Sequence, residues 1–431
     1  MSDFVATLQQ IKTSDQVLIM KSIDFRKFGL ELGIILSVLI YYYFRWGSLG
    51  NFVSAIDHCD LLFCDFSRVF YKMGGAIFSQ QIPSRGFYYS PFAAIIFSLW
   101  GFQPPNIALI TWGIAQLITS VGLFLYWLPA MQRSKFSFRL FYLFLSLTAF
   151  PLLHNFKWGQ VSAIITLAIF LTMELYQAQK WIWAAFWLAF SVAFKFYPAI
   201  FVLYFVFKRD LKFLIAFAFF LFLLGIVIPT VVTGIDPTIN FYLSILKKGV
   251  GFSTTGNDAI NSLYFPSVVL RLVGEGAGNI WLARLQAVGL MILGANILLV
   301  FLIVFSNLVY RIQWSFLLIF ASIPFIIPTS WAHYFVYLPA FQAWVVFMIA
   351  KNKFSVIKYI LLFFSILLSN IIFFNFFDNW GAYAAPGYLF WSNLLLLLVA
   401  YLELISQLRI SDVLNGLRQA VSKSKTAYED A

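Results

Sequence analysis

From residue 28 onward the sequence returns repeatedly to apolar runs of about twenty residues, each closed by a short polar turn. No other feature constrains the fold as strongly. A helix of that length rises by about 30 Å, the thickness of a bilayer's hydrocarbon core. Backbone N–H and C=O groups have no partner in lipid, so only helices or closed barrels cross it. A barrel needs segments of about ten residues that alternate apolar and polar, and the runs here are unbroken. With 62% hydrophobic and only 11% charged residues, the chain carries more apolar surface than a soluble core can hide. The expected class is therefore an all-α polytopic membrane protein, with its 14 Trp and 21 Tyr suited to the two interfacial belts.

The formal charge of +12 does not indicate nucleic acid as a partner, because the basic residues stand singly or in small groups between apolar runs. Residues 1–27 read as a cytoplasmic segment held inside by Lys12, Lys21, Arg26 and Lys27. No small-residue cleavage site follows the first run, which is expected to act as a signal anchor. The first span covers 28–46, and the first exported loop covers 47–87. Between that loop and the cytoplasmic turn Lys208-Arg209-Asp210-Leu211-Lys212 the number of crossings must be odd. Two arrangements satisfy this. One has five spans, 88–102, 106–128, 138–154, 159–176 and 181–207, and leaves Arg133, Lys135 and Arg139 outside. In the other, 88–102 only dips into the membrane and the last run breaks at Lys195-Phe196-Tyr197-Pro198 into two short crossings. This second arrangement puts the basic cluster inside and exposes Gln160 and Lys195 to the exterior. Spans near 213–233, 280–306, 314–329, 334–350, 355–375 and 388–407 follow, with a long exported loop at 234–279. The total is about twelve crossings. The catalytic region is expected at 28–345, C-terminal transmembrane helices at 346–408 and a cytoplasmic tail at 409–431. An apolar stripe between Leu404 and Val421 suggests a helix resting on the inner leaflet.

The stretch 60–91 is a charged interruption in an apolar chain. Phe66, Val69, Phe70, Met73 and Ile77 recur there at helical spacing, as in a helix lying on the membrane surface. Polar residues near the exported ends of spans are costly unless they line water or a site. Asp57, Asp60 and Asp65 with Arg68, Lys72 and Arg85 qualify, as do Lys157 with Gln160, Lys195 before Pro198, and His333 beside Trp331. Asn257, Asp258, Asn261 and Arg271 form a less constrained group in the long loop. Cys59 and Cys64 read as two free thiols in preference to a local disulfide, and they have no further Cys to complete a metal site. The aspartates are the only candidates for Mg²⁺, with neither a His pair at helical spacing nor a Cys cluster to support them. The chain has no GxxxxGK[ST] phosphate cradle and no GxSxG elbow, which argues against ATP-driven and serine-hydrolase chemistry.

Four motifs in register resemble one family. Asp65-Phe66, Phe70-Tyr71, Gly74, Ala76 and Tyr89-Ser90-Pro91 are similar to the first exported loop of the polyprenyl-phosphate-mannose-dependent mannosyltransferases of glycosyltransferase family 87, in the GT-C superfamily. Trp158-Gly159-Gln160 and Lys195-Phe196-Tyr197-Pro198 look like its Gly-Gln and Lys-x-x-Pro features. Gly256-Asn257-Asp258-Ala259 resembles its Gly-Asn-Gln-Ser loop, with Asp-Ala in place of Gln-Ser. Pro328-Thr329-Ser330-Trp331-Ala332-His333-Tyr334 resembles its Ser-Pro-x-Ser-Trp-x-His turn.

The resemblance implies a GT-C fold in a bacterial inner (plasma) membrane with its active site facing the periplasm or exterior. It implies transfer of a sugar, mannose by family weight, from a polyprenyl phosphate to a lipid or glycan hydroxyl, with inversion. A positioned carboxylate that takes the hydroxyl proton is worth roughly a hundred- to ten-thousand-fold, and Asp65 is the candidate. Lys195, His333, Arg85 and Arg68 are candidates to stabilise the leaving phosphate. Tyr89, Gln160, Asn257 and Trp331 are candidate substrate contacts, and no metal or other cofactor is expected. The competing reading is a secondary transporter or lipid flippase, which would claim the Lys195-Pro198 break as a substrate site. An oligosaccharide polymerase or ligase is a further alternative; it should carry arginine pairs in a large exported loop, where this chain has only Arg271.

Overall fold

The computed structural model describes residues 25–56, 59–79, 83, 86–131, 136–251, 260–274, 279–351, 355–377, 379–409, 411–416 and 418. Among these no strand forms, and β pairing is limited to a single antiparallel bridge between Ala149 and Asn370. Among the described residues five helices are long and apolar enough to cross a membrane: Pro105–Leu125, Leu211–Thr233, Ile280–Phe305, Ala332–Lys351 and Trp380–Gln407. A bent pair, Gly29–Trp46 and Leu49–Ile56 with 79° between them, adds a sixth candidate span. The others expected to cross are shorter apolar helices, among them Phe136–Thr148, Ser162–Gln177, Trp181–Phe194 and Val356–Leu368. The most apolar stretch of Ala332–Lys351 is 94% buried against 22 to 28% for the first three helices, so it is the centre of the bundle and they face lipid.

Paired polar residues fix which turns share an end of the bundle. Gln160 reaches Asp65, so the loop after the first span and the Trp158-Gly159-Gln160 turn lie together. Arg139 forms an ion pair with Glu31 near the start of the first helix. Tyr176 donates to Asp210, and Gln177 and Gln313 exchange amide hydrogen bonds at 3.0 Å. Of the two arrangements read from the sequence, these pairings fit the one in which the chain breaks at Lys195 and the 88–102 run does not cross. Pro91–Gly101 has 11 residues, about 16 Å of rise, and is one of several apolar helices shorter than a bilayer's hydrocarbon core.

The stripe on the 60–91 stretch has a different role from the one its periodicity suggests. Phe66, Phe70, Met73 and Ile77 are all buried, and the short helix Tyr71–Ala76 packs against Pro91–Gly101. Glycines permit this contact. A Cβ on Gly74 would lie 2.3 Å from the carbonyl oxygen of Phe97, and one on Gly101 would lie 2.2 Å from the nitrogen of Gly75. The stripe is core, not a membrane-surface face.

The stretch 234–279, expected as a long loop, contains helical structure. It carries helices Ile235–Gly251 and Phe265–Val273. Thr238, Phe241 and Ile245 are the inward face of the first, and the Phe241 ring sits 6.1 Å from Phe87. After helix Tyr388–Gln407 the chain turns and is helical again at 411–416. There a Cβ on Gly416 would collide with the carbonyl of Phe305, so this end packs on the bundle.

Candidate active site

Helix Phe150–Trp158 ends because Gly159 adopts φ +64, the left-handed region glycine favours. A side chain is also excluded there: its Cβ would fall 2.9 Å from Phe66 Cβ and Trp112 Nε1, and 3.0 Å from Phe63 Cβ. The turn is held by buried donors. Trp112 Nε1 donates to the Gly159 carbonyl at 3.1 Å, and Gln116 Nε2 to the Gln160 carbonyl at 2.7 Å. Asn155 Nδ2 donates to Gln116 Oε1 at 2.9 Å, which orients that amide. The N–H of Phe63 donates to the Lys157 carbonyl at 2.7 Å and ties the Asp65 segment to the same turn. Phe66 stacks on Trp112 with ring centroids 4.8 Å apart. The Asp65 side chain does not cap the helical turn Phe66–Phe70 that it precedes. Its carboxylate instead accepts from Gln160 Nε2.

A polar line runs on from there. Tyr89 Oη donates to Gln160 Oε1 at 3.0 Å, and Lys195 Nζ lies 3.5 Å from Tyr89 Oη. Burial, then the neighbouring Tyr334, Asp65 and Tyr197, pushes the Tyr89 phenol well above its ordinary pKa, so it remains a donor. Ser90 positions Tyr89. Its hydroxyl accepts from Ala93 N–H at 3.2 Å as an N-cap and donates to the Ala193 carbonyl at the end of helix Trp181–Phe194. Lys195 follows that helix in extended conformation, φ −146 and ψ 133, which turns its side chain off the helix axis. The ammonium sits 4.2 Å from the ring centre of Tyr334 and 4.9 Å from that of Tyr89, an aromatic cradle that favours a cation. Asp65, Tyr89, Gln160, Lys195, Trp331 and Tyr334 line one cavity of about 290 Å³, together with Val69, Phe70, Gly86, Tyr88 and Thr329.

A second, smaller cavity of about 80 Å³ adjoins it across Asp65 and Trp331, and its other lining residues are His154, Trp158, Asn261, Ala332, His333 and Trp380. The turn carrying Trp331 and His333 is docked by the long loop. Leu263 N–H donates to the Ser330 carbonyl at 2.7 Å and Ser262 Oγ to the Pro328 carbonyl at 2.7 Å. Arg271 donates to the carbonyls of Ser262 and Ala385 at 2.8 and 3.0 Å, which fastens the same loop to the Trp380 region. Burial lowers the Arg271 pKa to about 10, so it stays charged at neutral pH. His333 is 1% exposed, and neither ring nitrogen has a hydrogen-bond partner among the described residues. Its ring centre lies 5.9 Å from that of His154.

The fold thus gathers Asp65, Tyr89, Gln160, Lys195 and Trp331 around one cavity and sets His333 at the adjoining one. Arg68 is exposed and lines neither, as is the case for Asp60 and Lys72. Arg85, Asn257, Asp57 and Asp258 lie outside the described residues. Cys59 and Cys64 form a disulfide, which corrects the reading of two free thiols. Five apart in the sequence, they are brought together by the turn at Phe63, whose φ is +57. Among the described residues no group of three His, Cys, Asp or Glu is placed to hold a metal. The sequence did not single out Gln116, Asn155 and Trp380, and it offered Tyr334 only as the last residue of a motif. Gln116 and Asn155 carried a signal, being amides inside apolar runs, where a buried polar group must find a partner.

The sequence model of glycosyltransferase family 87 matches residues 87–323, more than half of the 431-residue chain. The chain belongs to glycosyltransferase family 87. The matched region contains Tyr89, Gln160 and Lys195, and Asp65, Trp331 and His333 fall outside it. It is the tertiary structure that joins them to the family 87 region. No curated protein and no solved structure matches the chain. Membership of family 87 makes it a membrane glycosyltransferase and sets aside the transporter or flippase reading.

Proposed function

We propose that this family 87 protein moves a hexose, mannose by its motifs, from a polyprenyl phosphate to an acceptor hydroxyl on the outer face of a bacterial inner membrane, with inversion and without a metal. The observation that carries the reading is one cavity bounded by the Asp65 carboxylate at one side and the Lys195 ammonium at the other, joined through Gln160 and Tyr89. A volume of about 290 Å³ is at the lower end for ligand pockets and suits a sugar phosphate headgroup, with the isoprenoid chain left in lipid. As the acceptor oxygen bonds to the anomeric carbon, its proton passes to Asp65, and the bond from that carbon to the phosphate oxygen breaks. The electron pair leaves with the phosphate, whose growing charge Lys195 stabilises. The Tyr89 hydroxyl, kept protonated, supplies a further donor, and Trp331 offers a ring face to the sugar.

The test uses purified protein in lipid, a radiolabelled polyprenyl-phosphate-mannose donor and a crude extract of host lipids and glycans. Wild type is expected to transfer label and Asp65→Asn to lose it by at least about a hundredfold at unchanged thermal stability. Full transfer by Asp65→Asn would remove the base from Asp65. Absence of transfer by wild type would overturn the donor assignment.

A further inference from the structure

We infer that a cleft at the end of the bundle away from Asp65 binds the phosphate headgroup of an anionic phospholipid in the leaflet that meets this end. It lies between the turn 306–310 and the ends of helices Leu338–Lys351 and Tyr388–Gln407. The inference is independent of the transfer chemistry proposed above. The cleft has a volume of about 510 Å³, and Asn307, Leu308, Val309, Met348, Lys351 and Arg409 are among its lining residues. Helix Ser162–Gln177 measures its separation from the transfer site. The helix starts beside Gln160 and rises about 24 Å to Gln177, which pairs with Gln313 in the first turn of Arg311–Ile326.

The bordering helices set the depth of the cleft. The span Ile280–Phe305 ends just before the turn, and the spans Ala332–Lys351 and Trp380–Gln407 end at residues of the cleft itself. A cavity where three spans end stands where hydrocarbon gives way to headgroups. Its lining is divided in the same sense. Leu308, Val309 and Met348 offer an apolar side to the glycerol and the start of an acyl chain, and Val309 is 66% exposed. A free phosphate would leave that side in water.

The charge is one-sided. Among the described residues no carboxylate lines the cleft. Glu403, one turn before Gln407, is fully buried, pairs with Lys358 at 2.6 Å and accepts from Gln407 Nε2 at 2.5 Å. Asp412 follows Arg409 but does not line the cleft. Arg311 donates to the carbonyls of Val304 and Ser306, at 3.2 Å each, which closes the turn 306–310 and adds positive charge beside it. The two cations of the cleft are also placed. The Lys351 ammonium sits 3.8 Å from the ring centre of Phe347, a contact that leaves its charge in place. The N–H groups of Asp412 and Val413 donate to the Arg409 carbonyl at 3.0 and 3.3 Å, and the helical turn they begin is seated on Phe305 through Gly416. A guanidinium offers a bidentate fork to a phosphodiester, and an ammonium offers a point charge.

The experiment titrates phosphatidylglycerol or phosphatidylcholine into the purified full chain in neutral detergent and counts bound lipid by native mass spectrometry. Wild type is expected to hold one phosphatidylglycerol at least tenfold more tightly than phosphatidylcholine. Lys351→Gln and Arg409→Gln should each weaken this about fivefold, and the double variant about 25-fold. Arg68→Gln with Lys72→Gln, which removes the same charge from the Asp65 end, should keep the affinity within twofold. Thermal unfolding without lipid should be unchanged in all of them, and Lys351→Arg should keep binding if Lys351→Gln does not fold. No preference for phosphatidylglycerol, or a preference that the Lys351 and Arg409 variants leave intact, would overturn the inference. Equal loss in the Arg68 and Lys72 variant would reduce it to net charge and overturn it too. Displacement of the lipid by excess inorganic phosphate at matched ionic strength would overturn the choice of a lipid over a soluble anion.

Discussion

Gln160 donates its side-chain amide to the carboxylate of Asp65, joining residues 95 positions apart, while its amide oxygen is taken by Tyr89. Both ends of the amide are therefore committed, and the carboxylate is held in one orientation. Replacing Gln160 with Ala removes a hydrogen bond to a charged group, which is worth about 1.5 to 3 kcal/mol. The expected result is a fall in kcat of roughly ten- to a hundredfold, with the donor KM little changed. Steady-state transfer kinetics check this, and a change in donor KM alone would mean that Gln160 binds the donor and does not orient Asp65.

Lys195→Met should weaken use of the phosphate-bearing donor by at least about tenfold in kcat/KM, since a positioned cation no longer meets the developing charge. Lys195→Arg should recover part of it. Equal activity in all three forms would take Lys195 out of the site.

Gly159→Ala forces a Cβ into Phe66, Trp112 and Phe63 at a left-handed backbone position. Overpacking and conformational strain together should cost about 2 to 4 kcal/mol. The thermal unfolding midpoint should drop and transfer should drop with it. An unaltered midpoint would show that the turn adapts and does not hold Gln160 rigidly.

The Cys59–Cys64 disulfide predicts that a maleimide adds to the denatured protein only after reduction. Mass spectrometry would show the difference as two added labels. Two labels without reductant would return the pair to free thiols.

Topology has its own check. In a Cys59→Ser, Cys64→Ser background, a cysteine at the exposed Arg68 position should react with a membrane-impermeant reagent from outside. One at Arg209, at the other end of the bundle, should not. Labelling of position 68 only after the membrane is opened would reverse the orientation.

The sequence by itself determined the class. Apolar runs of membrane length dictate helices because lipid offers the backbone no partner, and that requirement is local to each run. One of the two arrangements read from it also breaks the chain at Lys195 with Pro198, where helix Trp181–Phe194 ends, while the other runs a single span through that point. Asp65, Gln160 and Lys195 were legible as candidates because polar residues are conspicuous against apolar runs, and Tyr89 and Trp331 entered through the motifs of the family resemblance.

What the tertiary structure decided were the facts that depend on distance between segments. The stripe from Phe66 to Ile77 has the periodicity of a surface helix, and only its packing through Gly74 and Gly101 shows that it is core. Periodicity marks an apolar face without saying what covers it. Arg68 and Lys195 look alike in sequence, yet one is exposed and the other lies within aromatic rings at the cavity. The pairing of Cys59 with Cys64 and the division of the site into two cavities at Asp65 are likewise contacts between parts of the chain. Hydropathy is a sum along the sequence and carries no term for them.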